Sequence, residues 1–110
     1  GNPTWAYDLA CAIMILIRRA NHETVKEIFN YSNEGVIPWN NFAEAIFYIG
    51  GKNCEVRPIS TKDYGGKANR PAFSALDKTK IKEYIGIKIP FWRESLIKCI
   101  EEIKHNSINN

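Results

Sequence analysis

Along this 110-residue chain, apolar side chains fall at helical spacing in four stretches and at strand spacing in two. Leu9, Ile13 and Leu16 repeat every three or four positions, and Ala20 continues the series. This spacing predicts a helix from Tyr7 to Arg19, with Arg18-Arg19 suiting its negative C-terminal pole. Pro3-Thr4-Trp5 reads as a short extended lead into it. The rest of that helix is apolar too, through Cys11, Ala12, Met14, Ile15 and Ile17. A helix apolar almost all round needs cover on more than one side, and a domain this small has little material to give. The pattern therefore predicts that this helix faces something outside the chain.

Glu27 to Tyr31 is strand-like, and Ser32-Asn33-Glu34-Gly35 reads as a turn. Pro38 opens a second helix with Trp39, Phe42, Ala43 and Ile46 on one face, stopped by Gly50-Gly51. Cys54 to Ile59 reads as a second strand, and Ser60 to Ala75 as loop. Asp77 is placed to cap a short helix ending at Gly86. Pro90 introduces a last helix with Trp92, Leu96, Cys99, Ile100 and Ile103 as its apolar stripe. The expectation is an α+β domain over residues 1–104, with about four helices, two short strands pairing in parallel, and a frayed polar tail at 105–110.

Composition narrows the class. At 45% hydrophobic and 12% aromatic the chain has enough apolar surface to fold, which excludes a disordered tail. It is too short to hold a complete dinucleotide-binding oxidoreductase. The longest apolar run, Ala10 to Ile17, is far short of the roughly 20 residues of a membrane span, and no basic-then-apolar leader opens the chain. Cys11, Cys54 and Cys99 are odd in number and scattered, which argues against a disulfide framework or zinc ribbon and fits a reducing cytoplasm. Cys11 and Cys99 read as small core residues. Residues 1–50 carry three Lys/Arg against five Asp/Glu, and residues 51–110 carry twelve against seven, so the second half is the basic one.

No catalytic set is visible. Tyr48…Lys52 and Tyr84…Lys88 match the Tyr-x-x-x-Lys spacing of short-chain dehydrogenases, but a glycine falls inside each at a predicted helix end. The chemistry needs both side chains on one continuous helical face, so both matches are set aside. Gly50-Gly51 and Gly65-Gly66 are turn pairs rather than phosphate cradles. His22 and His105 are solitary, and Glu101-Glu102 falls on a solvated helix side, so neither a metal site nor a carboxylate pair is expected. The segment from Lys62 to Lys82 stands apart: it is long, basic and tyrosine-bearing. Arg70, held extended before Pro71, suits a guanidinium reaching a phosphate; capping a helix or pairing with an acid is the competing use.

Four blocks in order resemble the C-terminal, substrate-binding portion of the dTDP-4-dehydrorhamnose reductases, a family of extended short-chain dehydrogenase/reductases. They are GNPTWAYDLACAI (1–13), YSNEGVIPWNNFAEAI (31–46), VRPISTKDYGGKANRPAFSALDKTKI (56–81) and IPFWRESLIKCI (89–100). One departure is Pro38, where the family often places a capping Ser. The resemblance implies a lobe of an enzyme that reduces the C4 ketone of dTDP-6-deoxy-L-lyxo-4-hexulose with NAD(P)H, yielding dTDP-L-rhamnose for polysaccharide. It implies that the nucleotide fingerprint and catalytic pair lie on a separate N-terminal Rossmann lobe, so this chain binds no cofactor and is inactive alone.

By the same resemblance Arg70 is the expected diphosphate contact, with Ser74 and Tyr64 as further substrate-binding candidates. Trp39 and Trp92 are expected in the core. Expected partners are the dTDP-sugar and the Rossmann lobe, with self-association through the first helix as a further possibility and no role for nucleic acid or membrane. Two rival readings stand beside this one. The first is a non-catalytic interaction or regulatory relative. The second is a small basic nucleic-acid-binding domain, which the helical placement of the aromatics disfavours.

Overall fold

The computed structural model describes residues 1–20 and 26–109, and among these it is helical. The helices are α1 (Ala6–Ala20), α2 (Trp39–Gly50), α3 (Thr61–Tyr64), α4 (Thr79–Ile85) and α5 (Trp92–Asn109). Helix α1 lies against α4, and α2 against α5. None of these helices is long and apolar enough to cross a membrane. His22 lies outside the described residues.

Helix ends follow the punctuation in the sequence. Gly51 takes the left-handed conformation after α2 at φ 66°, and Lys52 N–H donates to Phe47 O while Gly51 N–H donates to Tyr48 O. These two bonds satisfy the last carbonyls of α2 in a Schellman arrangement. Gly86 ends α4 in the simpler left-handed motif at φ 63°, its N–H donating to Lys82 O at 2.8 Å. Lys78 stands at the head of α4 and Asp77 one residue earlier, yet Asp77 Oδ1 still accepts from Thr79 N–H at 2.9 Å. Pro38 begins α2 with no side-chain cap, the local consequence of having no Ser there.

The expected parallel strand pair is absent among the described residues. Glu27–Tyr31 and Cys54–Ile59 run without a partner, and the one pairing described is an isolated parallel bridge between Glu34 and Phe91. The second segment lacks what a paired strand needs: Pro58 has no N–H, Glu55 and Arg57 pair with each other, and only Val56 is even half-buried. Two further corrections concern helices. Ser60-x-x-Asp63 forms a reciprocal cap that nucleates α3 inside the expected loop, with Asp63 N–H donating to Ser60 Oγ at 3.1 Å. The tail expected to fray from His105 instead continues α5 to Asn109. No Gly or Pro interrupts it, and Ser107 Oγ donates back to Ile103 O at 2.8 Å.

The apolar core is small: Ala12, Ala45, Ile81, Ile89 and Trp92 are its buried members. Trp92 is held edge-on against Phe42, with ring centres 5.9 Å apart. Trp39, expected inside, is 77% exposed at the first position of α2, and Cys11 is exposed with Cys99 half-buried. On α1 only Ala12 is buried, while Leu9, Ile13 and Ile17, spaced one turn apart, share an outward arc with Met14. The radius of gyration is 17.0 Å, against about 13 Å for a close-packed domain of this length. The accessible surface is 8839 Å², against about 6,200 Å² for a monomer of this mass. The molecule is a flat body of 50 × 41 × 22 Å.

Candidate functional site

A polar node stands where the core is thin. Asn33 is wholly buried in the segment read as a turn, because Glu34 on its far side pairs with residues 90–92: Glu34 N–H donates to Pro90 O and Trp92 N–H to Glu34 O, both at 2.9 Å. The Asn33 carboxamide nitrogen donates to Asp8 Oδ2 and to Ser95 Oγ, each at 2.6 Å, and Ser95 Oγ donates to Asp8 Oδ2 at 2.5 Å. Asn33 N–H donates to Thr4 Oγ1 at 3.2 Å. This node joins the N-terminal segment, α1, the 31–35 segment and α5. Sequence reasoning missed it, since buried asparagine is the exception and nothing local marks it.

Beside the node, buried Lys78 donates through Nζ to Asn33 O at 3.1 Å and to Glu34 Oε2 at 2.9 Å. Lys82 reaches the other oxygen of Glu34, and Lys80 pairs with Glu27. Hydrogen bonds first from Lys82 and then from Lys78 hold the Glu34 carboxyl below the ordinary glutamate range. Half of the basic tract between Lys62 and Lys82 thus serves the fold. Lys62, Lys67 and Arg70 make no ion pair among the described residues.

Lys62 on α3 and Lys67 and Arg70 on the loop after it are all exposed. Residues 57–74 are all exposed, including Arg70, Ser74 and Tyr64. After α3 the chain reverses at Gly65, φ 64°, and Gly66 lies under the Tyr64 ring, so close that a Cβ there would stand 3.1 Å from Cδ1. At the other end, a Cβ on Gly1 would stand 3.3 Å from Ser74 Oγ. The loop therefore carries Tyr64, Arg70 and Ser74 on one surface segment, but no hydrogen bond joins their side chains among the described residues. Arg70 neither caps a helix nor pairs with an acid there, so the competing structural use finds no support.

Two grooves flank the body. One of about 660 Å³ is lined by Trp5, Tyr7, Asp8, Lys98, Glu101 and Glu102. The Cys11 thiol beside Tyr7, followed by burial and the charge of Glu102, pushes the phenol above its ordinary value. With three carboxylates against one ammonium, this groove repels a phosphate. The other, of about 400 Å³, runs between α2 and α5 past Ile37, Asn41, Glu44, Ala45, Tyr48, Trp92 and Arg93. An anion finds uncommitted positive charge on the 60–77 loop. Neither Tyr-x-x-x-Lys pair shares a helical face: left-handed Gly51 and Gly86 break both, leaving Lys52 and Lys88 beyond the helices that hold Tyr48 and Tyr84.

Comparison with known proteins sets this geometry in a family. The profile of the RmlD substrate binding domain matches residues 1–105. The spore coat polysaccharide biosynthesis protein SpsK of Bacillus subtilis (strain 168) is 35% identical over 102 residues, which are 93% of this chain and 34% of that protein. The dTDP-4-dehydrorhamnose reductase of Sinorhizobium fredii is 35% identical over 107 residues, 91% of this chain and 36% of the relative. That of Aggregatibacter actinomycetemcomitans is 36% identical over 104 residues, covering 87% and 35%. The chain spans about a third of the length of these curated relatives. With the match running through the N-terminal segment, the polar node, the basic loop and most of α5, the chain belongs to the RmlD substrate binding domain family.

Proposed function

We propose that this chain is the substrate-binding lobe of a dTDP-4-dehydrorhamnose reductase, which as a whole protein reduces the C4 ketone of dTDP-6-deoxy-L-lyxo-4-hexulose with NAD(P)H. The family match over residues 1–105 carries the reading. Reductases among the relatives support the reaction class, and SpsK, by its name, supports a place in polysaccharide synthesis. On this reading Arg70 neutralises and orients the diphosphate, and Ser74 and Tyr64 offer hydroxyls to phosphate or sugar. The cofactor belongs to a nucleotide-binding lobe docked on the outward arc of α1, and no hydride step is assigned to residues of this chain. Three scattered thiols and a sugar-nucleotide substrate suit the cytoplasm.

The test is a titration of dTDP into the isotopically labelled chain, followed by amide chemical shifts. The expected shifts centre on residues 64–76, and Arg70→Ala removes them. NADPH is expected to perturb no amide in a saturable way. Shifts confined to the acidic groove at Trp5, Tyr7 and Glu102, or none at all with dTDP, would sink the assignment.

A further inference from the structure

We infer that Asn2 is a positioning residue for ligand binding: its carboxamide pins the returning end of the 60–77 loop and so sets where Arg70 and Ser74 meet a nucleoside diphosphate. The ligand part of this inference rests on the reading of Arg70 and Ser74 given above; the tether itself does not. Asn2 Oδ1 accepts from Leu76 N–H at 2.9 Å, across 74 residues of sequence. Its Nδ2 donates to Gly35 O at 2.7 Å. One side chain thus grips the loop with its oxygen and the body of the fold with its nitrogen.

The grip matters because the loop has few others. From Asn53 to Asp77, the remaining hydrogen bonds among the described residues are local, such as Arg57 to Glu55, Ser60 with Asp63 and Thr79 to Asp77. The bond from Leu76 to Asn2 is the only long-range one in that span among the described residues. It falls two residues after Ser74 and six after Arg70. The far end of the grip is rigid. Gly35 lies between the Glu34–Phe91 bridge and the Trp92 ring, so closely that a Cβ there would stand 2.6 Å from Trp92 Cδ1. Gly1 and Ile37 exchange backbone hydrogen bonds in both directions, at 3.1 and 3.0 Å, and hold the residue before Asn2 in register. Asn2 can therefore be altered without releasing the N-terminal segment.

Three measurements on the full chain test this: exchange at the Leu76 amide, affinity for dTDP, and thermal midpoint. Asn2→Ala is expected to speed Leu76 exchange by about tenfold and weaken dTDP binding by about 2- to 13-fold, the span of one hydrogen bond. Amides of α5 should exchange at unchanged rates. Asn2→Asp keeps an oxygen for Leu76 but loses the donor to Gly35 O and sets a carboxylate against that carbonyl, so it is expected to lose protection at Leu76 as Asn2→Ala does. In an Arg70→Ala, Ser74→Ala background Asn2→Ala should cost no further affinity, since it acts through the placement of those two side chains. A purely structural role predicts equal losses in both backgrounds, tracking the thermal midpoint, and would overturn the inference. So would Leu76 exchange that ignores Asn2→Ala. If Arg70→Ala itself leaves dTDP binding intact, the proposed substrate site falls, and the ligand role of Asn2 with it. Normal dependence on Arg70 with indifference to Asn2 removes the inference alone.

Discussion

Replacing Gly35 with alanine separates backbone strain from steric conflict. Gly35 has φ 93°, and a Cβ there would meet Phe91 Cε2 at 2.5 Å and Trp92 Cδ1 at 2.6 Å. Phe91 is 44% exposed and can swing outward, but Trp92 is buried, and its ring is fixed edge-on by Phe42. Left-handed backbone costs a non-glycine residue about 1–2 kcal/mol, and overpacking a fixed core adds about 1–3 kcal/mol. The expected destabilisation is about 2–5 kcal/mol, a large share of what a domain with so thin a core can hold. Gly51→Ala supplies the control: φ is 66° and nothing lies within 4 Å of its Cβ position, so only the backbone cost of about 1–2 kcal/mol applies.

Urea unfolding of both variants and the parent is the assay. With a slope of about 1–3 kcal/mol/M, the two midpoints should differ by about 1 M, Gly35→Ala being the lower. Should Gly35→Ala prove too unstable to fold, a folded Gly51→Ala still fixes the backbone share and leaves the clash as the cause. Equal midpoints would refute the reasoning, because they would mean that Trp92 can retreat without cost. The bridge at Glu34 and the platform that Asn2 grips would then be softer than the geometry implies.

Three further outcomes are expected. Arg70→Ala should weaken dTDP binding by about 10- to 150-fold, the value of a charge-assisted contact, with the thermal midpoint unchanged because the side chain is exposed; a lowered midpoint with normal affinity would return Arg70 to a structural role. Ser95→Ala should cost about 1–3 kcal/mol in a urea melt, since it strips a buried partner from the Asn33 carboxamide and from Asp8. Glu34 makes stability sensitive to acid: its folded value lies below the ordinary 4.5, so its contribution is complete above that value and drains away as pH falls through the lowered one. Melts at about pH 3 and about pH 6 should differ less for Glu34→Gln than for the parent, and an unchanged difference would count against the Lys82–Glu34–Lys78 link.

Helices α1, α2, α4 and the first turns of α5 were legible because their apolar spacing is strong and glycine stops two of them at Gly51 and Gly86. The strands were misread because Cys54–Ile59 has strand-like side chains but nothing to pair with, and pairing is a property of two segments. The short helix α3 carries a readable signal in Ser60-x-x-Asp63, but at four exposed residues it has no apolar face for periodicity to report. Trp39 shows the limit of periodicity: it shares a face with Phe42 and meets that ring edge-on, yet at the first position of α2 it stays exposed. The expected site residues Tyr64, Arg70 and Ser74 do fall on one exposed loop. Their tether through Asn2 was illegible, because it spans 74 residues and depends on where Gly35 is fixed.

The surplus of accessible surface, about 2,600 Å² over that of a monomer of this mass, ties these observations together. A standard interface removes about 800 Å² from each partner, so the surplus is the size of a large, permanent contact. Part of it is apolar, the arc of Leu9, Ile13, Met14 and Ile17, where a proposed nucleotide-binding lobe would sit. A body that spends its apolar face outward cannot hold its own parts together by burial alone. Four polar residues, Ser32, Asn33, Lys78 and Ser95, stand buried beside the five apolar ones. At Asn33, Lys78 and Ser95 directional bonds replace bulk, and they fix position where apolar contact would only fix proximity. For a lobe proposed to form one side of a substrate cleft that is the useful arrangement. The node around Asn33 sets the Gly35 carbonyl, Asn2 carries that position to Leu76, and the loop presents Arg70 from a defined place while the rest of its length stays in solvent.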